Sequence, residues 1–84
     1  MQISETWGIS AERIRAFFSG QDDVIQNTDD IFSCGCCRII ITPLSPRLVG
    51  GLCFPQTKVE FSGPEADITD IHQRFVLQFI SAGG

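Results

Sequence analysis

The stretch Thr57-Lys58-Val59-Glu60-Phe61-Ser62-Gly63-Pro64-Glu65-Ala66-Asp67-Ile68-Thr69-Asp70-Ile71-His72-Gln73-Arg74-Phe75-Val76-Leu77-Gln78-Phe79-Ile80 changes its apolar period halfway along. Up to Phe61 the alternation is strict, with Thr57, Val59 and Phe61 on one side and Lys58 and Glu60 on the other. That is a strand with one buried and one solvated face. After Ser62-Gly63-Pro64-Glu65, which has the form of a helix-opening capping box with proline at an early helical position, the pattern becomes helical. Ile68, Ile71, Phe75, Val76, Phe79 and Ile80 recur at three- and four-residue steps. Glu65, Asp67 and Asp70 lie near the helix start, where the backbone dipole favours negative charge. A half-buried strand followed by a helix with a wide apolar face predicts a helix laid on a sheet.

Working towards the N-terminus, Cys37-Arg38-Ile39-Ile40-Ile41-Thr42 is short and β-branched, and Pro43 is expected to stop it. Leu48–Phe54 reads as a return segment weakened by Gly50-Gly51 and interrupted by Pro55. Ile31–Ser33 is expected to begin a strand after a turn at Asn27-Thr28. A first helix is marked by Ser10 as N-cap, by Ile9 and Ile14 in staple positions, and by the stripe Ile14, Phe17, Phe18. Gly20 is expected to end it in a left-handed conformation. Ile3 and Trp7 are the apolar positions of a short leading strand. The predicted fold is α+β: a two-layer sandwich in which a small antiparallel sheet of three or four strands carries two helices packed on one face.

The sequence has 84 residues, of which 43% are hydrophobic and 19% charged, so residues 1–84 are expected to form a single globular domain. The net charge of -4 argues against nucleic acid as a partner, because phosphate backbones are repelled. The α-β-β-β-α order follows double-stranded-RNA-binding domains in outline, but those modules read phosphates with basic residues, and here the second helix opens Pro64-Glu65-Ala66-Asp67. No apolar run approaches the ~20 residues of a membrane span, and the N-terminus lacks a basic region followed by an apolar one. A cytoplasmic location without membrane attachment is the expectation, and with it reduced cysteines.

Cys34-Gly35-Cys36-Cys37 is the one chemically pointed motif, and Cys53 lies beyond it. Four thiols suffice for a tetrahedral zinc site, with His72 as a further donor. Zinc needs its sulfurs roughly 3.8 Å apart, whereas residues two apart in an extended strand are about 6.6–6.8 Å apart, so the chain would have to turn at Gly35. A redox reading of the C-x-x-C competes, although such motifs favour a helix N-terminus and the residues after Cys37 favour a strand. The third reading treats the cysteines as small hydrophobes. In a straight strand Cys37, Ile39 and Ile41 would face the core. Cys34, Cys36, Arg38 and Ile40 would face the other way.

Other candidates have plainer readings. His72 borders the apolar stripe of the second helix without a serine or cysteine motif tied to it. Asp22, Asp23, Asp29 and Asp30 do not have EF-hand spacing and read as a solvated acidic loop. Pro43-Leu44-Ser45-Pro46 contains P-x-x-P, a form that docks into aromatic grooves when it adopts polyproline II. With no paired acid and base, nucleophile motif or cofactor loop, the expected function is a non-catalytic protein-interaction or regulatory domain. Its partner would be another protein or a second copy, met through a mixed sheet face bearing Phe32, Ile40, Arg38, Lys58 and Glu60. The alternative is a thiol-based zinc or redox-sensing module built on Cys34, Cys36, Cys37 and Cys53.

Overall fold

The computed structural model describes the backbone of residues 1–83 and the side-chain surroundings of residues 1–80. Seven elements follow in order: β1 (Gln2–Trp7), α1 (Ala11–Ser19), β2 (Val24–Thr28), β3 (Ile31–Cys34), β4 (Cys37–Val49), β5 (Leu52–Ser62) and α2 (Glu65–Gly83). The strands form one antiparallel sheet in the order β1-β5-β4-β3-β2. β2 to β5 are a meander, and β1 returns to close the free side of β5. The α+β class and the two helices are as expected, but the sheet has five strands rather than three or four.

Register decides which residues reach the core. Ile39 pairs with Phe61, Ile41 with Val59, and Phe32 with Ile39, so all five point to one face. Ile14 and Phe18 of α1 and Ile68, Ile71, Phe75 and Phe79 of α2 meet them there in one buried cluster. The centre is aromatic: Phe18 stacks on Phe75 with centroids 5.5 Å apart, and Phe61, Phe79 and Trp7 lie 5.9, 5.1 and 5.0 Å from Phe75. Among the described residues Thr57 is the one buried polar residue, and its hydroxyl donates to the Ile9 carbonyl at 2.6 Å. That bond satisfies a group whose burial would otherwise be costly.

Several local expectations are met. Ser10 is the N-cap of α1, in extended geometry, and its Oγ accepts from the Arg13 N–H at 3.4 Å. Others need correction. Gly20 stays right-handed (φ -83°), its N–H bonding back to the Ala16 and Phe17 carbonyls, so no left-handed cap is needed. Asn27 and Thr28 belong to β2 instead of forming a turn. Phe32 is fully buried on the helix side, which removes it from the outer face. That face keeps Ile40, paired with Glu60, together with Arg38 and Lys58.

The largest departure is β4. It runs straight through Pro43 and Pro46, and β5 runs through Pro55. β3 pairs with β4 only as far as Ile40, and β1 with β5 only from Thr57. Residues 43–56 are therefore a two-stranded arm whose outer edges pair with no other strand among the described residues. Proline, lacking an N–H, is tolerated on such an edge. The arm turns at Gly50-Gly51, both with positive φ (56° and 83°), the conformation a tight hairpin demands at both central residues. It gives the molecule a longest dimension of 42 Å.

Candidate functional site

The cysteine motif folds as a hairpin turn. Gly35, with φ 60°, and Cys36 are its two central residues, and Cys34 and Cys37 stand directly opposite each other at the ends of β3 and β4. Positive φ at the first central position alone is the pattern that places glycine there. The turn is held against α2, because the Cys36 N–H donates to Asp67 Oδ2 at 3.0 Å. Cys37 faces the core as expected. Cys34 does too, contrary to the straight-strand expectation, because a two-residue turn sets both flanking residues on one face. Cys36 is exposed at the tip.

Cys53 is elsewhere. It sits in the arm opposite Leu48, nine residues along β5 from Ser62, the partner of Arg38. At about 3.3 Å per residue that is about 30 Å from the turn. The fold thus brings Cys34 and Cys37 together, turns Cys36 outward, and holds Cys53 far from the other three. Among the described residues, no group of three or more His, Cys, Asp or Glu side chains is arranged to hold a metal ion.

Arg74 organises the surroundings of the thiol pair. From α2 its guanidinium donates to Asp23 Oδ1 and Oδ2 at 3.0 and 2.8 Å, to Asp70 Oδ2 at 2.8 Å and to Gln21 Oε1 at 3.1 Å. It also approaches Cys34 Sγ at 3.9 Å, while that thiol donates to Asp23 Oδ2 at 3.6 Å. Nε of the same guanidinium is buried and has no hydrogen-bond partner among the described residues. The bonds from Arg74 hold the Asp23 carboxyl down to about 2 from an ordinary value of 3.8. Burial, followed by the nearby Asp23 charge, pushes the Cys34 thiol up, and burial followed by Cys34 does the same to Cys37. Both rest as protonated thiols.

The Asp23 pair sets an acid limit. A carboxylate with a lowered pKa in the folded state stabilises the fold fully above its unfolded value and loses that contribution as pH falls through the folded one. The Arg74–Asp23 link is therefore expected to weaken between about pH 4 and 2, matching the values 3.8 and about 2. Thermal melting followed from pH 6 to pH 2 should fall more steeply over that window in the native protein than in Asp23→Asn. Identical slopes would show that this pair contributes nothing.

Of the remaining candidates, His72 Nε2 lies 2.9 Å from Glu5 Oε1, which also accepts from Trp7 Nε1 at 3.2 Å. With its ring edge-on to Phe61, His72 ties α2 to β1. Asp30 receives two bonds from Arg15 at 2.9 and 2.6 Å, so two of the four loop aspartates serve ion pairs. The P-x-x-P segment is strand, not polyproline II.

The feature the sequence reading passed over is the arm itself. Leu44, Leu48, Val49, Leu52 and Phe54 are all exposed, Leu48 by 75% and Leu52 by 63%. Arg47 is the one charged residue between Pro43 and Pro55. Paired residues share a face, so Val49–Leu52 and Arg47–Phe54 lie together. The available signal was the run Leu48–Phe54, whose glycine pair suits a hairpin tip.

Among the described residues, no helix is long and apolar enough to cross a membrane. A five-strand antiparallel sheet with two helices on one face, projecting an apolar arm, defines a small α+β module. A family model described as archaeal MoaD-like protein matches residues 2–84, and the chain belongs to that family. MoaD-like proteins are small β-grasp proteins of the sulfur-carrier and ubiquitin-like kind that interact with partner proteins. No curated protein matches the chain.

Proposed function

We propose that the protein is a non-catalytic carrier-type module that works by docking onto a partner protein, and that the β4–β5 arm is the surface it presents. The observation that carries this reading is one face of the arm, where the exposed Val49, Leu52 and Phe54 lie together with Arg47 and no acidic residue is nearby in sequence. Contiguous apolar surface bounded by polar residues is what an interface core offers, and aromatic and arginine side chains supply most of the energy there. The rest of the chain is acidic, which disfavours wrong anionic partners. Family membership supports a sulfur-carrying role in particular. Within that role Gly83-Gly84 is the segment to examine, since two residues without side chains fit a narrow enzyme cleft.

Binding to the enzyme that loads sulfur onto proteins of this class tests the arm. Phe54→Ser with Leu52→Ser is expected to weaken that binding by about 30-fold or more, the effect of losing one interface hot spot. Circular dichroism should be unchanged, because neither side chain joins the core. Unaltered affinity would remove the arm from the interface. Light scattering over a concentration series tells a second copy from a different partner. Oxygen-to-sulfur exchange in the peptide containing Gly83-Gly84, read by mass spectrometry, tests the sulfur role separately.

A further inference from the structure

We propose that Cys34 and Cys37 are a dithiol reaction centre, closing to an intramolecular disulfide on meeting a small hydroperoxide and reopened by a thiol reductant. The proposal is independent of the arm and of any sulfur-carrying role.

Register carries the argument. The two residues are direct cross-strand partners flanking a two-residue turn. Opposed antiparallel residues have Cα atoms about 4.5–5.5 Å apart, inside the 4.4–6.8 Å that disulfides span. Both side chains lie on the helix-facing side, Cys34 8% exposed and Cys37 1%. Neither thiol is already bonded, since all four cysteines are free. The other two cannot substitute: Cys36 is turned outward at the tip, and Cys53 is held in the arm.

The surroundings assign an order to the pair. Cys34 is the more exposed, and its sulfur has Arg74 Nη2 at 3.9 Å and Asp23 Oδ2 at 3.6 Å. A guanidinium beside sulfur favours the thiolate as it forms, against the burial and the Asp23 carboxylate that hold the resting group as the thiol. The Cys34 sulfur attacks the terminal oxygen of the hydroperoxide. An S–O bond forms, the O–O bond breaks, and the alcohol leaves carrying the thiol proton. The Cys37 sulfur then attacks the Cys34 sulfur, the S–S bond forms, and the S–O bond breaks with loss of water, which takes the Cys37 proton. Two thiols are oxidised by two electrons, and the hydroperoxide is reduced to alcohol and water. A dithiol reductant returns both thiols by exchange.

The sequence simplifies the experiment. Arg15 and Arg38 bound a tryptic peptide, residues 16–38, that contains Cys34, Cys36 and Cys37. In Cys36→Ser/Cys53→Ser protein only the proposed pair remains. After hydrogen peroxide, denaturation and alkylation, that peptide is expected to lose two hydrogens and take up no label. Dithiothreitol should restore two labels. Native protein whose exposed thiols are first blocked with a maleimide gives the same reading if the double variant folds poorly. Two labels retained after peroxide in folded protein would overturn the proposal. So would a sulfinic acid or a disulfide-linked dimer in place of the internal bond.

Discussion

Phe75→Ala is expected to cost the protein about 3–5 kcal/mol, the range for removing a buried phenylalanine. Phe75 is fully buried, and its ring touches those of Trp7, Phe17, Phe18, Phe61 and Phe79 at centroid distances from 5.0 to 5.9 Å. From α2 its ring reaches α1, β1 and β5 at once. The gap would be lined by rigid rings that cannot collapse into it, which places the cost towards the upper end. A domain of this length has about 4–13 kcal/mol to lose, so the change removes a large fraction of the total. Urea titration followed by circular dichroism measures the loss. Trp7, the single tryptophan, sits edge-on to Phe75 and gives a local reading by fluorescence. A loss below about 1 kcal/mol would mean that the ring cluster is far more adaptable than its geometry indicates.

Gly63→Ala is expected to be nearly as damaging, for a different reason. Gly63 connects β5 to α2 with φ 139°, a value side-chain-bearing residues rarely adopt. A methyl group there would lie 2.6 Å from the Cys36 carbonyl oxygen and 3.0 Å from Cys37 Cα. Both are backbone atoms of the hairpin turn and cannot swing aside. Strain of about 1–3 kcal/mol at such a φ adds to a similar overpacking cost, about 3 kcal/mol or more together. Gly63 also exchanges hydrogen bonds with Met1, its N–H to the Met1 carbonyl at 3.2 Å and its carbonyl from the N-terminal ammonium at 3.1 Å. A shift here therefore loosens the start of β1. Gly50→Ala is the control, because its φ is also positive (56°) but nothing lies within 4 Å. It should cost only the backbone term. Equal losses at the two sites, measured by thermal melting, would show that the close approach at Gly63 is unimportant.

Elements with an uninterrupted period were legible from sequence: α2 through its spaced Ile and Phe, β5 from Thr57 to Phe61 through alternation, and the helix start at Ser10. All three bury one regular face, and burial is what writes periodicity into a sequence. β2 was not legible because it is an edge strand, with Ile25, Gln26, Asn27 and Thr28 all exposed. The far half of β4 was hidden by Pro43, because proline's usual effect on a strand presumes a neighbour on both sides. The orientation of Cys34 is not legible, because a strand continued straight through Gly35 puts it on the opposite face from Cys37. One residue in a positive-φ turn reverses the chain and changes which cysteines share a face. Cys34, Cys36, Cys37 and Cys53 were legible as a chemical set but not as three separate environments. Sequence spacing does not show how far along β5 the fourth thiol lies.

A ribbon open on both sides, bearing leucine, valine and phenylalanine, has the makings of a template for cross-chain stacking into fibrils. Pro43 and Pro46 on one strand and Pro55 on the other interrupt the row of donors that a stacking chain would need. The arm can thus be sticky through its faces while its margins refuse to propagate order. Concentrated solutions should accordingly bind no amyloid dye, and converting these three prolines to threonine should be enough to start it binding.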